Sequence, residues 1–200
     1  MSEPIPTLAG MSSDIPAPPT GELPGTGPGA GAEAIGRAAP QGYGTVTPWV
    51  ISRDTARLID FAAKAFGARE LGRVPGPDGR IGHAEVRIGD SVVMMFDSAD
   101  GWPDTPGFLR LYVQDADAVY ERALAAGAAP VTPVTALFFG DRVGRVRDPL
   151  GNIWWIQAHV EDVDPDELMR RPQEAAAMES LRFVETSLDS AMRTDKNGPA

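Results

Sequence analysis

The chain has no cysteine, which excludes disulfides, thiolate zinc centres and a thiol nucleophile at once, and is compatible with a reducing compartment. Basic residues are scarce. Eighteen Lys and Arg stand against 28 Asp and Glu, leaving a net charge of −10. An acidic surface of that kind disfavours nucleic acid and anionic membrane as main partners, although it leaves room for a local basic pocket. No apolar run approaches membrane-spanning length, and MSEPIPTLAG at the N-terminus lacks the basic and apolar regions of a secretory signal. The expectation is a soluble, cytoplasmic protein that meets neither nucleic acid nor membrane. Proline and glycine, by contrast, are abundant. With 19 and 22 of them in 200 residues, part of the chain is expected to stay unfolded, while 42% hydrophobic content is enough for one ordinary core.

Residues 1–42 carry most of the unfolded character. GELPGTGPGAGAEAIGRAAPQG and what precedes it are dominated by Pro, Gly, Ala, Ser and Thr with no aromatic side chain, too little apolar surface to offset the entropy of ordering. This stretch reads as a disordered tail: a solubilising leader, a start upstream of an alternative initiator at Met11, or a segment that docks a partner.

From Thr45 the texture changes. VTPWVIS is strand-like, and DTARLIDFAAKAFGA places Leu58, Ile59, Ala62, Ala63 and Phe66 at helical spacing behind an Asp cap. RELGRVPG, IGHAEVRIG and DSVVMMFD then read as three strands joined by tight turns. The same order recurs with FLRLYVQD, the helix DADAVYERALAAGA, and PVTPVTALF, RVGRVRD and NIWWIQAHV. Without a gap, RIGHAEVRIGDSVVMMF (80–96) lies on RVGRVRDPLGNIWWIQA (142–158), pairing His83 with Arg145 and Val93 with Trp155. A repeat of about 60 residues in two copies predicts a pseudo-twofold pair of βαβββ units. Beyond His159, Asp164 and Pro165 open a helical extension over 164–192 that Pro172 interrupts, and 193–200 is expected to be disordered.

The paired units, FAAKAFGA, PGPDGRIGHAEVRIGDS and FFGDRVGRVRDPLGNIWWIQAHVEDV together resemble the vicinal oxygen chelate superfamily. That group holds glyoxalase I, extradiol dioxygenases and the bleomycin- and fosfomycin-resistance proteins, and the PhnB-like branch is the nearest likeness. The resemblance covers residues 45–163. It implies an α+β fold of two βαβββ modules, a mixed sheet curled around one cleft, and a homodimer. Metal-dependent members carry a ligand on the first and last strand of each module. Those positions fall near Thr47, on Val93 or Met94, near Phe108 and on Trp155. None is a dependable donor for a divalent ion, so no metal and no cofactor are expected.

Strand alternation predicts what the cleft holds instead. Val86 and Ile88 suit the helix-covered face, leaving His83, Glu85 and Arg87 on the other; Trp154 should pack under the helices and Trp155 should face the cleft. The expected ligand-binding set is Thr47, Trp49, Arg87, Phe108, Arg110, Tyr112, Arg145, Arg147, Trp155 and Gln157. Arginine forks suit carboxylate or phosphate and aromatic walls suit a planar body. The arginines also read as a scaffold paired with Glu85, Asp141 and Asp148. His83 and Glu85 read either as a structural pair or as a base with its orienting partner, the only catalytic candidates. Three functions fit these residues: metal-free binding that sequesters an aromatic or anionic compound, an enzyme (lyase, isomerase or dioxygenase) using a noncanonical metal or the His83–Glu85 pair, and a regulatory module that docks a partner protein.

Overall fold

A computed structural model describes Pro40, residues 42–76 and residues 78–194. The disordered stretches expected over 1–42 and 193–200 lie outside the described residues, except for Pro40, Gly42, Arg193 and Thr194. The first module runs β1 (Trp49–Ser52), α1 (Thr55–Phe66), β2 (Arg69–Pro75), β3 (Ile81–Ile88) and β4 (Ser91–Asp97). The second runs β5 (Phe108–Tyr112), α2 (Ala116–Ala125), β6 (Ala129–Ala136), β7 (Asp141–Arg147) and β8 (Ile153–His159). Each makes its own four-stranded sheet, ordered β1-β4-β3-β2 and β5-β8-β7-β6. In each sheet the first strand pairs parallel with the last and the other neighbours are antiparallel.

The helices begin where local chemistry dictates. Asp54 accepts from the Arg57 N–H at 3.0 Å and Asp115 from the Ala118 N–H at 2.9 Å, each supplying an acceptor to an otherwise orphan amide of the first turn. Gly67, at φ 68°, closes α1 in the left-handed region, where a side chain is disfavoured. Helices α1 and α2 lie against one another, and one core joins the modules: Leu58, Ile59 and Phe61 of α1, Val119 and Tyr120 of α2, and Val86, Met95, Trp154 and Ile156 of the sheets.

Trp154 is the largest fully buried side chain. Its ring centroid lies 4.7 Å from that of Phe66, and its Nε1 donates to Asp148 Oδ2 at 2.9 Å. Asp148 is itself buried and also accepts from the backbone N–H groups of Leu150 and Asn152 and from Asn152 Nδ2, at 2.8, 3.0 and 2.8 Å. Asn152 Oδ1 in turn accepts from the Gly107 N–H at 2.8 Å, at the mouth of β5. One carboxylate thus fixes the β7–β8 connection at five residues, 148–152, where β3 and β4 are joined by two, Gly89 and Asp90.

That difference of three residues corrects the ungapped repeat. An odd insertion reverses the strand's parity, so Val93 is not the counterpart of Trp155. Val93 is 4% exposed in the core, and Met94, opposite Glu85, takes the place that Trp155 takes opposite Arg145. Past β8, Asp164 caps α3 (Pro165–Arg170), a 3₁₀ turn spans Arg171–Gln173, and α4 (Ala175–Thr194) follows. Among the described residues no helix is long and apolar enough to cross a membrane.

The hub at Asp148 makes a direct prediction. Asp148→Ala leaves four donors, three of them buried, without their acceptor and should cost roughly 3 kcal/mol or more, at about 1–3 kcal/mol per orphaned buried group with partial relaxation. Asp90→Ala, at an exposed turn, should stay within about 0.5 kcal/mol. Urea unfolding of both variants checks this; equal costs would show that the connection is held by something other than the Asp148 carboxylate.

Candidate functional site

The faces turned away from α1 and α2 carry the chemistry. On the second sheet one row of directly opposed residues runs across four strands: Arg110 on β5, Trp155 on β8, Arg145 on β7 and Thr132 on β6. A cross-strand neighbour stands close enough for contact, and both arginines use it. The guanidinium carbon of Arg110 lies 4.2 Å from the Trp155 ring centroid and that of Arg145 lies 3.8 Å from it. Phe108 adds an aromatic edge, its ring 6.4 Å from that of Trp155, while Tyr112 stands opposite Gln157 one row along.

Among the described residues the two cations have no acid between them. Arg145 is 2% exposed and donates through Nη1 to Thr132 Oγ1 at 3.1 Å and to the Val184 carbonyl at 2.7 Å, both neutral acceptors. Burial, aided by the charge of Arg110, pushes its pKa down to about 10. Each carboxylate that the arginine-scaffold reading requires is engaged elsewhere. Asp148 holds the turn, Glu85 accepts from Tyr43 and lies 3.1 Å from His83 Nε2, and Asp141 accepts from Gln157 and lies 2.6 Å from His159 Nδ1.

The face is not open as alternation alone implies, because α4 lies across its middle. Val184 packs with Leu137 and Val143, and Phe139 and Trp155 close on that cluster. Arg147 Nη2 donates to the Ala191 carbonyl at 3.2 Å, and Thr132 Oγ1 and Ser187 Oγ are 2.7 Å apart. Arg145 and part of Trp155 are thereby covered and Gln157 is buried on the same face, whereas Phe108, Arg110 and Tyr112 on β5 remain exposed. Leu181, Val184, Leu188 and Ala191 fall at helical spacing along one side of α4, a pattern visible in the sequence but silent about what that side covers.

The first sheet carries a separate polar cluster. Trp49, 56% exposed, stands opposite Met94, which stands opposite Glu85. Its ring centroid lies 6.0 Å from His83 and 5.3 Å from Phe96. The Tyr43 hydroxyl donates to Glu85 Oε2, and His83 Nε2 approaches Oε1, so both oxygens of the carboxylate are engaged. Those contacts, Tyr43 first and His83 second, hold the Glu85 carboxyl below the ordinary carboxylate range and raise the Tyr43 phenol above its own. Tyr43 escaped sequence reasoning, although it is the first aromatic residue in the chain. Arg87 donates to the Asp90 carbonyl at 3.2 Å, and Thr47 precedes β1, its hydroxyl donating to the Gly44 carbonyl at 3.4 Å. Thr47, Met94, Phe108 and Trp155 offer neither imidazole nor carboxylate, so the positions that hold a divalent ion in metal-dependent relatives do not fit one here. Among the described residues no other group of three His, Asp or Glu side chains is arranged to do so.

Comparison with known proteins agrees with this architecture. The family model described as Glyoxalase/Bleomycin resistance protein/Dioxygenase superfamily matches residues 42–156. Protein Mb0911c of Mycobacterium bovis is 41% identical over 134 residues, spanning 62% of this chain and 88% of that relative. Rv0887c of Mycobacterium tuberculosis has the same identity, with 79% of its length covered. The crystal structure of TioX from Micromonospora sp. ML1 is 29% identical and superposes with a TM-score of 0.50 over 57% of this chain and 98% of that one. The PhnB protein from Bacillus cereus is 19% identical, with a TM-score of 0.47 over 56% and 98% of the two chains.

The contact between Tyr43 and Glu85 has a measurable consequence. A carboxyl held low stabilises the fold above its unfolded pKa, and that contribution is lost as pH falls through the folded value. Tyr43→Phe removes the largest cause, so the Glu85 carboxyl followed by ¹³C NMR should titrate at higher pH in the variant, and the acid limb of the stability curve should move up with it. An unmoved titration would leave Tyr43 without influence on this face.

Proposed function

The chain belongs to the glyoxalase/bleomycin resistance protein/dioxygenase superfamily, and from that premise we propose that it binds, without a metal, a small anionic compound with an aromatic body. The working mode is sequestration, not turnover. The observation that carries the reading is the row Arg110–Trp155–Arg145, two guanidiniums against one indole with no carboxylate of the described residues between them. In a chain of net charge −10 this is a local reversal of sign. An anion placed there supplies the missing counter-charge, and Phe108, Tyr112 and Trp155 supply faces for a planar body.

Catalysis by His83 and Glu85 is the second reading, favoured by the hydrogen-bonded chain Tyr43–Glu85–His83. It is the weaker of the two, because both Glu85 oxygens are already engaged within the protein. We further infer a homodimer. Trp49, Phe108 and Tyr112 are 56%, 50% and 67% exposed, an aromatic surface that a second copy would cover. Light scattering that gives the mass of one chain at micromolar concentration would remove the dimer and leave the binding reading standing.

The binding test is calorimetric titration with aromatic carboxylates, sulfonates and phosphates beside their uncharged amides and esters. Anions should bind and neutral analogues should not. Arg110→Met keeps much of the side chain's volume at an exposed position and should cost 10- to 150-fold in affinity, the equivalent of about 1.5–3 kcal/mol for a charge-assisted hydrogen bond. Exhaustive chelation should leave affinity unchanged. If no anion in the panel binds, or if Arg110→Met binds as tightly as the parent, the anion site is refuted; if chelation abolishes binding, the metal-free part is.

A further inference from the structure

Helix α4 occupies the middle of the face that the proposed ligand needs, and it fills that place incompletely. Its Val184 carbonyl receives Arg145 Nη1 much as a ligand oxygen would. Yet three buried polar atoms on this face have no hydrogen-bond partner among the described residues: Nε of Arg145, Nε1 of Trp155 and Oε1 of Gln157. Protein interiors pair such atoms almost without exception, because an unpaired desolvated donor or acceptor is costly. A helix that served only as a permanent wall would be expected to satisfy them or to leave apolar residues beneath it.

The helix also buries little of its own apolar surface, although Arg145, Arg147 and Thr132 hydrogen-bond to it. Among its described side chains only Val184 is buried, along twenty residues, whereas the twelve-residue α1 buries six. Segments with little buried apolar surface open at lower free energy than the rest of a fold. The chain just before α4 has its own tie to the domain: Arg171 donates to Glu161 and, at 3.2 Å, to the Phe138 carbonyl. Between the two stands Glu174, a single exposed residue in extended conformation at φ −82° and ψ 130°, which provides a natural pivot.

We propose that α4 is a built-in occupant of the anion site, its Val184 carbonyl standing in for a ligand oxygen on Arg145, and that an incoming aromatic anion displaces it by rotation about Glu174. The inference rests on the reading of the Arg110–Trp155–Arg145 row as an anion site. The unpaired atoms also narrow the ligand: acceptor oxygens for Arg145 Nε and Trp155 Nε1, and a donor for Gln157 Oε1. A carboxylate with a neighbouring hydroxyl on an aromatic ring meets that pattern. The affinity of such a ligand then includes the cost of releasing α4, so whatever loosens α4 tightens binding.

The absence of native cysteine makes a clean test possible in the full chain. Thr132 Oγ1 and Ser187 Oγ are 2.7 Å apart, so the double variant Thr132→Cys/Ser187→Cys places two thiols within bridging reach and ties α4 to β6 when oxidised. The probe is salicylate. Its affinity for the oxidised protein should be at least tenfold weaker than for the reduced protein, with full recovery on reduction. In the unsubstituted chain, hydrogen exchange of α4 amides should run at least tenfold faster than that of β7 and β8, and faster again with salicylate bound. Equal affinity in both redox forms, or α4 amides that exchange as slowly as β8, would overturn the displaceable helix while leaving the anion site intact. Failure of salicylate to bind the unsubstituted chain while other anions of the panel bind overturns the displaced-helix ligand pattern, and failure of every anion of the panel overturns the anion site itself. Should the double variant not fold, the exchange measurement on the unsubstituted chain decides alone.

Discussion

The carboxylate of Asp148, with four N–H donors around it, is the interaction on which the rest depends. It sets the length of the β7–β8 connection, and that length sets the parity of β8. Parity decides which of two adjacent tryptophans is core. With Trp154 drawn toward the helices by its own hydrogen bond to Asp148, Trp155 must emerge on the opposite face, between Arg110 on one neighbouring strand and Arg145 on the other. A connection one residue shorter or longer would bury Trp155 and turn Trp154 and the wrong neighbours outward. The proposed anion site thus depends on the turn that joins the two strands carrying Arg145 and Trp155.

Energetics explain why this site is unusual. Burying an unpaired charge costs several kcal/mol, and among the described residues Arg145 has no acid to offset it. Its hydrogen bonds to Thr132 and the Val184 carbonyl contribute about 1.5–3 kcal/mol each at best, and stacking on Trp155 about 0.5–2 kcal/mol. These terms are of the size needed to keep the guanidinium buried. They do nothing for its Nε, nor for the Trp155 indole N–H or the Gln157 carbonyl oxygen, all three of which lack a partner among the described residues. A core built only for stability would place leucine or methionine at these positions. The polar set under α4 therefore fits binding better than it fits packing.

The fold was largely legible because its signals are local. Asp54, Asp115 and Asp164 mark helix starts, strand alternation separates Trp154 from Trp155 and Val86 from Glu85, and the second pass of the same pattern announces the second module. Comparison of the modules went astray at Val93, because an ungapped alignment cannot see a connection three residues longer in one copy. The site was legible only in part. Alternation places Arg110, Arg145, Trp155 and Gln157 on one face, but not what lies over them, since the docking of α4 depends on a contact between Arg145 and Val184, 39 residues apart. Tyr43 escaped for a similar reason: its partner Glu85 is 42 residues away, and nothing in the intervening sequence points from one to the other.

The central claim, that the Arg110–Trp155–Arg145 row receives an anion, is tested most directly by the resonances of the N–H groups themselves. In ¹H–¹⁵N spectra titrated with an aromatic carboxylate, the Trp155 indole and Arg145 Nε–H signals should shift and become protected from exchange. The Trp154 indole, already bonded to Asp148, is the internal control and should stay in place. A ligand that binds while the Trp155 and Arg145 signals remain unmoved, with changes confined to Tyr43, His83 and Trp49 on the first sheet, would contradict the account and move the functional site to the other module.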